Sequence, residues 1–405
     1  MERKNRLARK LLPKAALSIG VALSWLVRPL PANAVGEITT QNEPHPTNVM
    51  RLDNVPRGSM SWSWSGLSRP NPWGRFLSNG NRIYVCASTR RAALGALSMR
   101  GKNVWIHVIS SHSEIWPPVM AADGTLFLAT GTWMESMTRT GHVKWRLRLP
   151  KKISTPPSVS LSGTLYVGVR DHCLHAISAT GFRRWKYCTK ALPSTRPIVG
   201  PGGVIYFGTH NGTLYAVRQD GTLKWKVHLI DTALLHSPVL MPDGTLYMFT
   251  SSIVLKKIHP SLLKVIRHRS AMHGTFSILI KVTASGRIQW GLVGPTAGRS
   301  APFTDLSGKI LVSTAQGGII AASPSGTWSA RAQLGPTFAH AWMSRGRSGT
   351  ILVVAGHDVL VLNAGLRPIW RARISDAGKG PADMLFDGSV LVEGRHRLMR
   401  VLPPL

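Results

Sequence analysis

Tryptophan recurs along this chain at a nearly constant spacing, and that spacing limits the folds that the chain can adopt. An interval of 40 residues separates each of Trp105, Trp145, Trp185 and Trp225 from the next. The same residue ends comparable segments at Trp64, Trp290, Trp328 and Trp370. A fixed period of this length is typical of repeat proteins, in which each unit buries its apolar surface against its neighbours. We therefore interpret most of the chain as one repeat array.

Each of these tryptophans closes a unit of short strands. The clearest unit has three runs rich in β-branched and aromatic residues, at 203–208, 211–217 and 220–225. Asn-Gly and Asp-Gly dipeptides separate the runs, and such dipeptides form tight turns between antiparallel strands. A fourth strand precedes each unit and begins at a proline such as Pro157 or Pro197, where the missing N–H removes no ladder bond. Four antiparallel strands in about 40 residues form one blade of a β-propeller, with the Trp packed between blades.

The number of units predicts eight blades over residues 60–405, closed into a ring by the two ends of the chain. After Trp370 the sequence has only three further strands, near 381–386, 388–393 and 398–402. The missing strand is available at 61–65, which carries Trp64. Pairing these segments would remove the open sheet edges that promote aggregation. We predict an all-β, eight-bladed propeller whose last blade contains both an N-terminal strand and the C-terminal strands.

The repeat resembles that of a known family, the PQQ-type (quinoprotein-like) β-propellers. Its motifs are Gly163-Thr-Leu-Tyr-Val-Gly168, Gly212-Thr-Leu-Tyr-Ala216 and a Gly-x-x-x-Trp that ends at Trp225. The resemblance is strongest over 124–244 and extends over nearly all of the chain after residue 34. In length and blade number the chain is similar to the BamB-type propellers of outer-membrane assembly, although it lacks their lipid-anchor cysteine. The resemblance implies an exported, non-catalytic scaffold.

The first 34 residues have the pattern of a cleavable signal peptide. A basic region containing Arg3, Lys4 and Arg6 precedes an apolar run at 15–27, and Ala32-Asn33-Ala34 matches a signal-peptidase site. An uncleaved N-terminal anchor is the alternative, although the run is short for a membrane span. We expect a periplasmic or cell-surface protein with a linker at 35–59 and no transmembrane span in the mature chain.

The chain is strongly basic, with 50 Lys and Arg against 17 Asp and Glu and a net charge of +33. In an exported protein this charge favours anionic partners of the envelope, such as lipid phosphates, polysaccharides or acidic proteins, over nucleic acid. The alternative is that the charge serves only to keep the protein soluble.

The propeller topology would bring many of these cations to one end of the ring. The connections between blades lie at that end, together with the turns between the second and third strands. An insertion in blade five, at 251–274, joins them; it is either a decorated loop packed on its own blade or a recognition element, with an amphipathic helix broken near His259-Pro260. The predicted binding face comprises Trp116, Lys151, Lys152, Lys190, Arg196, His236, Lys256, Lys257, Arg267, Arg299, Trp342 and Lys379. Convergent cations with aromatic side chains suit an anionic ligand or an acidic partner.

Two enzymatic alternatives share this type of repeat. Quinoprotein dehydrogenases bind PQQ with calcium, which needs a carboxylate cluster and a vicinal cysteine pair. The sequence has no Cys-Cys, and four of its carboxylates precede Gly in predicted turns, so we expect no cofactor. The other alternative is an exported hydrolase of the tetrathionate-hydrolase type. Its candidate carboxylates near the ends of the ring, which fit turn or cap positions better, are Asp231, Asp305, Asp376 and Asp383.

The three cysteines predict one disulfide at most. Cys173 and Cys188 lie symmetrically about the Thr180-Gly181 turn, so antiparallel pairing would place them opposite each other, within disulfide range. A pair of free thiols is the alternative, and Cys86 should be a buried thiol. The absence of a CxxC motif argues against a zinc site. His172 and His175 point to opposite faces of a strand and form no metal pair.

Overall fold

The computed structural model describes residues 57–65, 76–79, 81–88, 92–109, 114–234, 236–250, 255–267, 276–294, 302–338, 341–346, 349–378, 382–385, 387–394 and 397–404. The expected signal peptide and most of the expected linker lie outside the described residues, as do Arg299 and Lys379. Within the described ranges, no helix has the length and apolar character that a membrane crossing requires.

The strands of the first half of the propeller are β1 (Ser59–Ser65), β2 (Phe76–Ser78), β3 (Arg82–Ser88), β4 (Ala92–Ser98), β5 (Asn103–Val108), β6 (Val119–Met120), β7 (Leu126–Thr130), β8 (Trp133–Met137), β9 (Val143–Arg148), β10 (Ser158–Val159), β11 (Leu165–Val169), β12 (Cys173–Ile177), β13 (Arg183–Cys188), β14 (Ile198–Val199), β15 (Ile205–Gly208), β16 (Thr213–Val217) and β17 (Leu223–His228). Those of the second half are β18 (Val239–Leu240), β19 (Leu246–Phe249), β20 (Ile266–Arg267), β21 (Ser277–Val282), β22 (Ile288–Gly294), β23 (Phe303–Thr304), β24 (Ile310–Ser313), β25 (Gly318–Ala322), β26 (Trp328–Gln333), β27 (Trp342–Arg345), β28 (Ile351–Leu362), β29 (Pro368–Gly378), β30 (Ala382–Met384), β31 (Val390–Glu393) and β32 (Arg397–Leu402).

These strands form eight antiparallel blades, and the predicted eight-bladed propeller is confirmed. Blades 1 to 4 are β2–β5, β6–β9, β10–β13 and β14–β17, each with its strands in chain order from the inner to the outer edge. Blade 5 contains β18, β19, β21 and β22, and blade 6 contains β23–β26. Blade 7 contains β27–β29, and blade 8 combines β30–β32 with β1.

The ring closes as the sequence predicts. Strand β1 pairs antiparallel with β32, so that Trp64 lies opposite Leu398 and Ser59 opposite Leu402. The N-terminal strand therefore supplies the outer strand of the blade that the C-terminal strands begin. This pairing satisfies the backbone groups that would otherwise remain exposed on both edges.

Blade 7 departs from the regular pattern because its second and third strands are continuous and form the single strand β28. The 12-residue β28 pairs with β27 through Ile351–Val354 and with β29 through the part that follows Gly356. Gly356 has a φ of 56°, a conformation that residues with a Cβ avoid. A change of direction within β28 thus replaces the longer turn of the other blades.

The insertion in blade 5 packs on its own blade. A short 3₁₀ turn at Leu255–Lys257 and helix α1 (Pro260–Leu263) are separated at His259, where the helical segment was predicted to break. Ile258, Leu262 and Ile266 are buried against the cores of blades 4 and 5. Strand β20 then lies parallel to β22 on the outer edge of the blade. The described part of the segment therefore packs on blades 4 and 5, and a role in recognition stays a prediction.

Indole rings join consecutive blades. Trp145 Nε1 donates to the carbonyl oxygen of Ala179 at 2.8 Å, and the ring lies against Gly181 in the turn between the third and fourth strands of the next blade. The same hydrogen bond links Trp105 to Arg139, Trp185 to Gln219 and Trp225 to Ala284. Trp328 differs, because its Nε1 donates back to Val293 of the preceding blade at 3.1 Å. The side chain of Trp64 lies outside the described part of the chain.

We predict that the contribution of the Trp–Gly contact to the free energy of unfolding can be measured by comparing two Asp-Gly turns. Gly221 (φ +91°) has Trp185 ring atoms 2.8 Å from the position of an added Cβ, whereas Gly388 (φ +78°) has nothing within 4 Å. The Gly388→Ala change should destabilise the protein by about 1–2 kcal/mol because of the positive φ alone. The Gly221→Ala change should destabilise it by about 1–3 kcal/mol more, because the methyl group overpacks the indole. Urea unfolding gives both values, and equal losses would show that the Trp–Gly contact adds nothing.

Candidate binding face

At one end of the ring, the connections between blades meet the turns between the second and third strands. The backbone N–H of Arg170 donates to the carbonyl of Lys152 at 2.8 Å, and that of His210 to Leu192 at 2.9 Å. The N–H of Thr189 donates to the carbonyl of His172 at 2.9 Å. These bonds hold the connections 150–154 and 189–194 beside the turns 170–172 and 209–212. We call these four segments the connection face.

The connection face is rich in exposed basic side chains, namely Lys151, Lys152, Arg170, His172, Lys190 and His210. In the part of the chain that the structure describes, no hydrogen bond or ion pair engages the side chains of Lys151, Lys152, Arg170 and Lys190. The carboxylate of Asp171 lies at the same end, but its Oδ2 is 2.9 Å from Nε2 of His175. The face therefore carries positive charge that its own residues do not compensate, and such a surface attracts anions.

Part of the predicted binding face lies here. Lys151, Lys152 and Lys190 belong to the connection face. Lys256 and Lys257 are exposed at the start of the insertion, where the carbonyl of Lys257 accepts a 2.7 Å bond from the N–H of Asp231 in the adjacent connection. Arg196 is half-buried near the start of an inner strand.

Four residues of the predicted binding face are not part of the connection face. Trp116 and Trp342 are each only 4% exposed and pack in the core between blades. Trp116 lies in a connection, and Trp342 begins the inner strand β27. His236 is buried as well. Nη1 of Arg267 donates to the carbonyls of Ser325 at 2.6 Å and Gly326 at 3.3 Å, and so ties the insertion to a turn of blade 6. The connection face thus has cations, but these two tryptophans contribute no exposed aromatic surface to it.

Sequence reasoning missed Arg170, His172 and His210. The signal was present, because turns between second and third strands were expected at this end. These three residues lie in the short turns of blades 3 and 4, whereas the predicted binding face included only the insertion from this class of turn.

The carboxylates proposed as turn residues are engaged in their own turns. Oδ1 of Asp123, Asp220 and Asp243 each accepts a 2.8 Å bond from the backbone N–H two residues ahead, and these bonds lower the pKa of all three. Asp387 and Asp305 make the equivalent bonds, at 3.0 and 2.8 Å.

The carboxylates considered for hydrolysis whose side chains the structure describes lie on separate elements. Asp231 Oδ1 lies 2.7 Å from Nε2 of His228 on the surface, and this contact lowers its pKa. Asp305 is the turn residue just described, and Asp383 is half-buried on β30. The side chain of Asp376 lies outside the described residues. Asp231 therefore lies between blades 4 and 5, Asp305 in blade 6 and Asp383 in blade 8.

A second group of reactive side chains lies at the outer edge of blade 3. Cys173 and Cys188 are opposite each other on β12 and β13, with Cα atoms 4.0 Å apart, and their sulfurs are joined in a disulfide. His175 is buried beside them, and this burial lowers its pKa although Asp171 acts to raise it. Cys86 is buried elsewhere, with Sγ 3.5 Å from the carbonyl of Trp116.

Comparison with known proteins agrees with the repeat and the fold. The family model for outer membrane protein assembly factor BamB matches residues 90–239. The structure is similar to that of BamB from Moraxella catarrhalis, with a TM-score of 0.61 and 14% identity over 85% of this chain and 97% of that chain. A search of curated proteins finds no match.

The same fold occurs in proteins of different activity. The quinohemoprotein alcohol dehydrogenase from Comamonas testosteroni gives a TM-score of 0.61 at 10% identity over 87% of this chain and 78% of that chain. The Dos1 propeller also gives 0.61, at 9% identity over 85% of this chain and 94% of that chain. At these identities the likeness shows the fold alone.

The buried His236 predicts a loss of stability in acid. Burial lowers its pKa to about 4, against 6.5 when it is exposed to solvent. Between these values the unfolded chain binds more protons than the folded one, so stability falls as the pH drops through this window. From pH 7 to pH 4.5 the wild type should lose about 2 kcal/mol more than the His236→Gln variant. Urea unfolding at both pH values measures this difference.

The exposed turn residue His142 supplies a matched control. The His142→Gln variant should keep the pH dependence of the wild type. If His236→Gln also keeps it, the buried imidazole does not set the acid response.

Proposed function

We propose that this chain, a PQQ-repeat β-propeller similar to BamB, is a non-catalytic scaffold of the cell envelope whose connection face binds an anionic partner. The observation that carries the proposal is the uncompensated charge of Lys151, Lys152, Arg170 and Lys190 on segments that backbone bonds hold together. A rigid arrangement of cations binds with a small loss of conformational entropy.

The positive charge of the connection face is suited to binding because no described contact within the fold depends on it. The four side chains are exposed on connections and turns, where the blade requires only the backbone path. Some other cations of this chain have structural partners. Arg146 pairs with the buried Glu135 at 2.8 Å, for example, and Arg400 bonds to the carbonyl of Met99 at 2.9 Å. Unpartnered cations at one end therefore favour an external anion.

Two further observations support a scaffold over an enzyme. The turn carboxylates hold their own backbone N–H groups, which removes them from the set of candidate acids and bases. The family match is to a protein described as an outer membrane protein assembly factor. We carry over from it a role at the outer membrane, in which the chain, exported through its basic and apolar N-terminal segment, binds an envelope protein with acidic residues or an anionic surface.

Charge reversal at the two ends of the ring tests this proposal. One full-length variant combines Lys151→Glu, Lys152→Glu and Lys190→Glu. The matched variant combines Arg100→Glu, Lys102→Glu and Arg287→Glu, exposed residues of turns at the opposite end, so both lose six units of positive charge. Binding is measured by co-sedimentation with phosphatidylglycerol vesicles and by cross-linking in envelope extracts.

We expect the first variant to lose at least about tenfold in affinity for its partner, because each Lys near an anionic surface contributes about 1 kcal/mol. The opposite-end variant should stay close to the wild type. Loss of vesicle binding identifies a lipid surface, and loss of a cross-linked band with unchanged vesicle binding identifies an acidic protein. Equal losses in both variants would mean that the charge acts globally, and the connection face would have no special role.

A further inference from the structure

The start of one strand in blade 3 brings three metal-binding residue types together. Cys173 and His175 are two residues apart on β12 and share a face of the strand, and Asp171 lies in the turn just before it. Cys173 begins β12, and Cys188 lies directly opposite it on β13. The sequence D-x-C-x-H therefore brings three donors to one place, and a second cysteine lies across the hairpin.

The donor atoms are close enough to share one ion. Oδ2 of Asp171 is 2.9 Å from Nε2 of His175. One donor atom each of Asp171, Cys173 and His175 lie within 4.8 Å of one another. In a tetrahedral zinc site with bonds of about 2.0–2.3 Å, the ligand atoms are roughly 3.3–3.8 Å apart. The adjustment that zinc would need is therefore a matter of side-chain rotation.

The position is also protected. The side chain of His175 is 5% exposed and that of Asp171 is 17% exposed, while Cys173 is 2% exposed. Cys188 faces outward on the edge strand, which gives an ion a path of entry. A site on paired strands holds its ligands more precisely than a site on loops.

Neighbouring blades use other chemistry at the same cross-strand position. Blade 2 has Trp133 opposite Arg148, with the guanidinium 5.9 Å from the centre of the indole ring. Blade 4 has Thr213 opposite His228, with Oγ1 and Nδ1 2.9 Å apart. The blade therefore does not need a covalent link at this position, and the cysteine pair of blade 3 calls for a separate explanation.

We propose that reduction of the Cys173–Cys188 disulfide converts this cluster into a zinc-binding site. A dithiol reductant supplies two electrons and two protons, the S–S bond breaks, and two thiols form while the reductant becomes a disulfide. Zn²⁺ then displaces both thiol protons to solvent and binds the two sulfurs, the imidazole of His175 and the carboxylate of Asp171. Zinc keeps its oxidation state throughout.

The oxidised chain offers only the imidazole and the carboxylate, too few ligands for tight binding. Zinc affinity is thus gated by the redox state of the cysteines, and strands β12 and β13 are cross-linked in both states. Two thiolates and one Zn²⁺ add no net charge relative to the disulfide. The positive charge of the connection face is therefore the same in both states, and this proposal stands or falls separately from the proposed function.

Zinc titration of the full chain before and after reduction tests the proposal. Competition with a chromogenic chelator should show one Zn²⁺ bound per reduced chain and weak binding, at least about a hundredfold lower in affinity, to the oxidised chain. Cobalt in place of zinc should give thiolate-to-cobalt absorption in the reduced chain only. Circular dichroism checks that each preparation is folded.

Variants assign the ligands. His175→Gln and Asp171→Asn keep both cysteines and should each weaken zinc binding by about tenfold or more, and the Cys173→Ser, Cys188→Ser double variant should abolish the cobalt absorption. His172→Asn and Cys86→Ser, adjacent and distant controls, should bind zinc like the wild type. Equal zinc affinity in the oxidised and reduced chains, or loss of binding in Cys86→Ser alone, would overturn the proposal.

Discussion

The contact between an indole ring and a glycine turn of the next blade determines the architecture of this molecule. Ring atoms lie 2.6–2.9 Å from the position that an added Cβ would occupy at Gly141, Gly181, Gly221, Gly286 and Gly326. Because the glycine also has a positive φ, no other residue meets both conditions without strain. The Nε1–H bond to a carbonyl two residues before the glycine then fixes the direction of the ring. Burial and hydrogen bonding thus act on the same pair of blades.

This contact explains the period of the sequence. From Trp105 to Gly141 the separation is 141 − 105 = 36 residues, and the same arithmetic gives 36 for Trp145 to Gly181 and for Trp185 to Gly221. Between Trp225 and Gly286 the separation is 61, which is 25 more, yet the ring still lies against the glycine. The additional residues of blade 5 are therefore accommodated outside the blade, where β20 and α1 cover its outer edge. A strand added at that edge leaves the contact between blades intact.

Strands, blade number and ring closure were predictable because each depends on local and periodic signals. Turn dipeptides mark strand ends, and tryptophans mark blades. The disulfide partners could be paired from their symmetry about Thr180-Gly181. The exposure of a connection residue was not predictable in the same way. Trp116 and His236 lie in connections between blades, and Trp342 begins the inner strand β27. Whether such a side chain points into the core depends on the neighbouring blade.

The cluster of Asp171, Cys173 and His175 was missed for a different physical reason. His172 lies in the turn before β12 with a φ of 66°, so strand alternation does not relate it to His175. The residue beside His175 is Asp171, which lies in the same turn and is not part of the strand. The N–H of Cys173 bonds to Oδ1 of Asp171 at 3.2 Å and holds that residue next to the strand, a contact that the period of two does not predict.

The basic charge of the chain has two separate structural roles, which is why its total does not identify a function. The outer strands of blades 2 to 4 have no further strand beside them in the described structure. They expose Lys144, Arg148, Arg184, Lys186, Lys224 and Lys226. Cations on an edge strand prevent it from pairing with another molecule, so these residues are explained without any ligand. Blade 5 is covered by β20, and blade 8 ends in β1 by ring closure.

The cations of the connection face have no such explanation. They lie on connections and turns that offer no strand edge to protect, and their side chains have no partner among the described residues. Edge protection requires charge on the circumference of the ring, whereas recognition requires charge that converges at one place. Lys151, Lys152, Arg170 and Lys190 meet the second condition because backbone bonds join their segments across two blades. The position of the charge, rather than its amount, is therefore what supports the proposed binding role of the connection face.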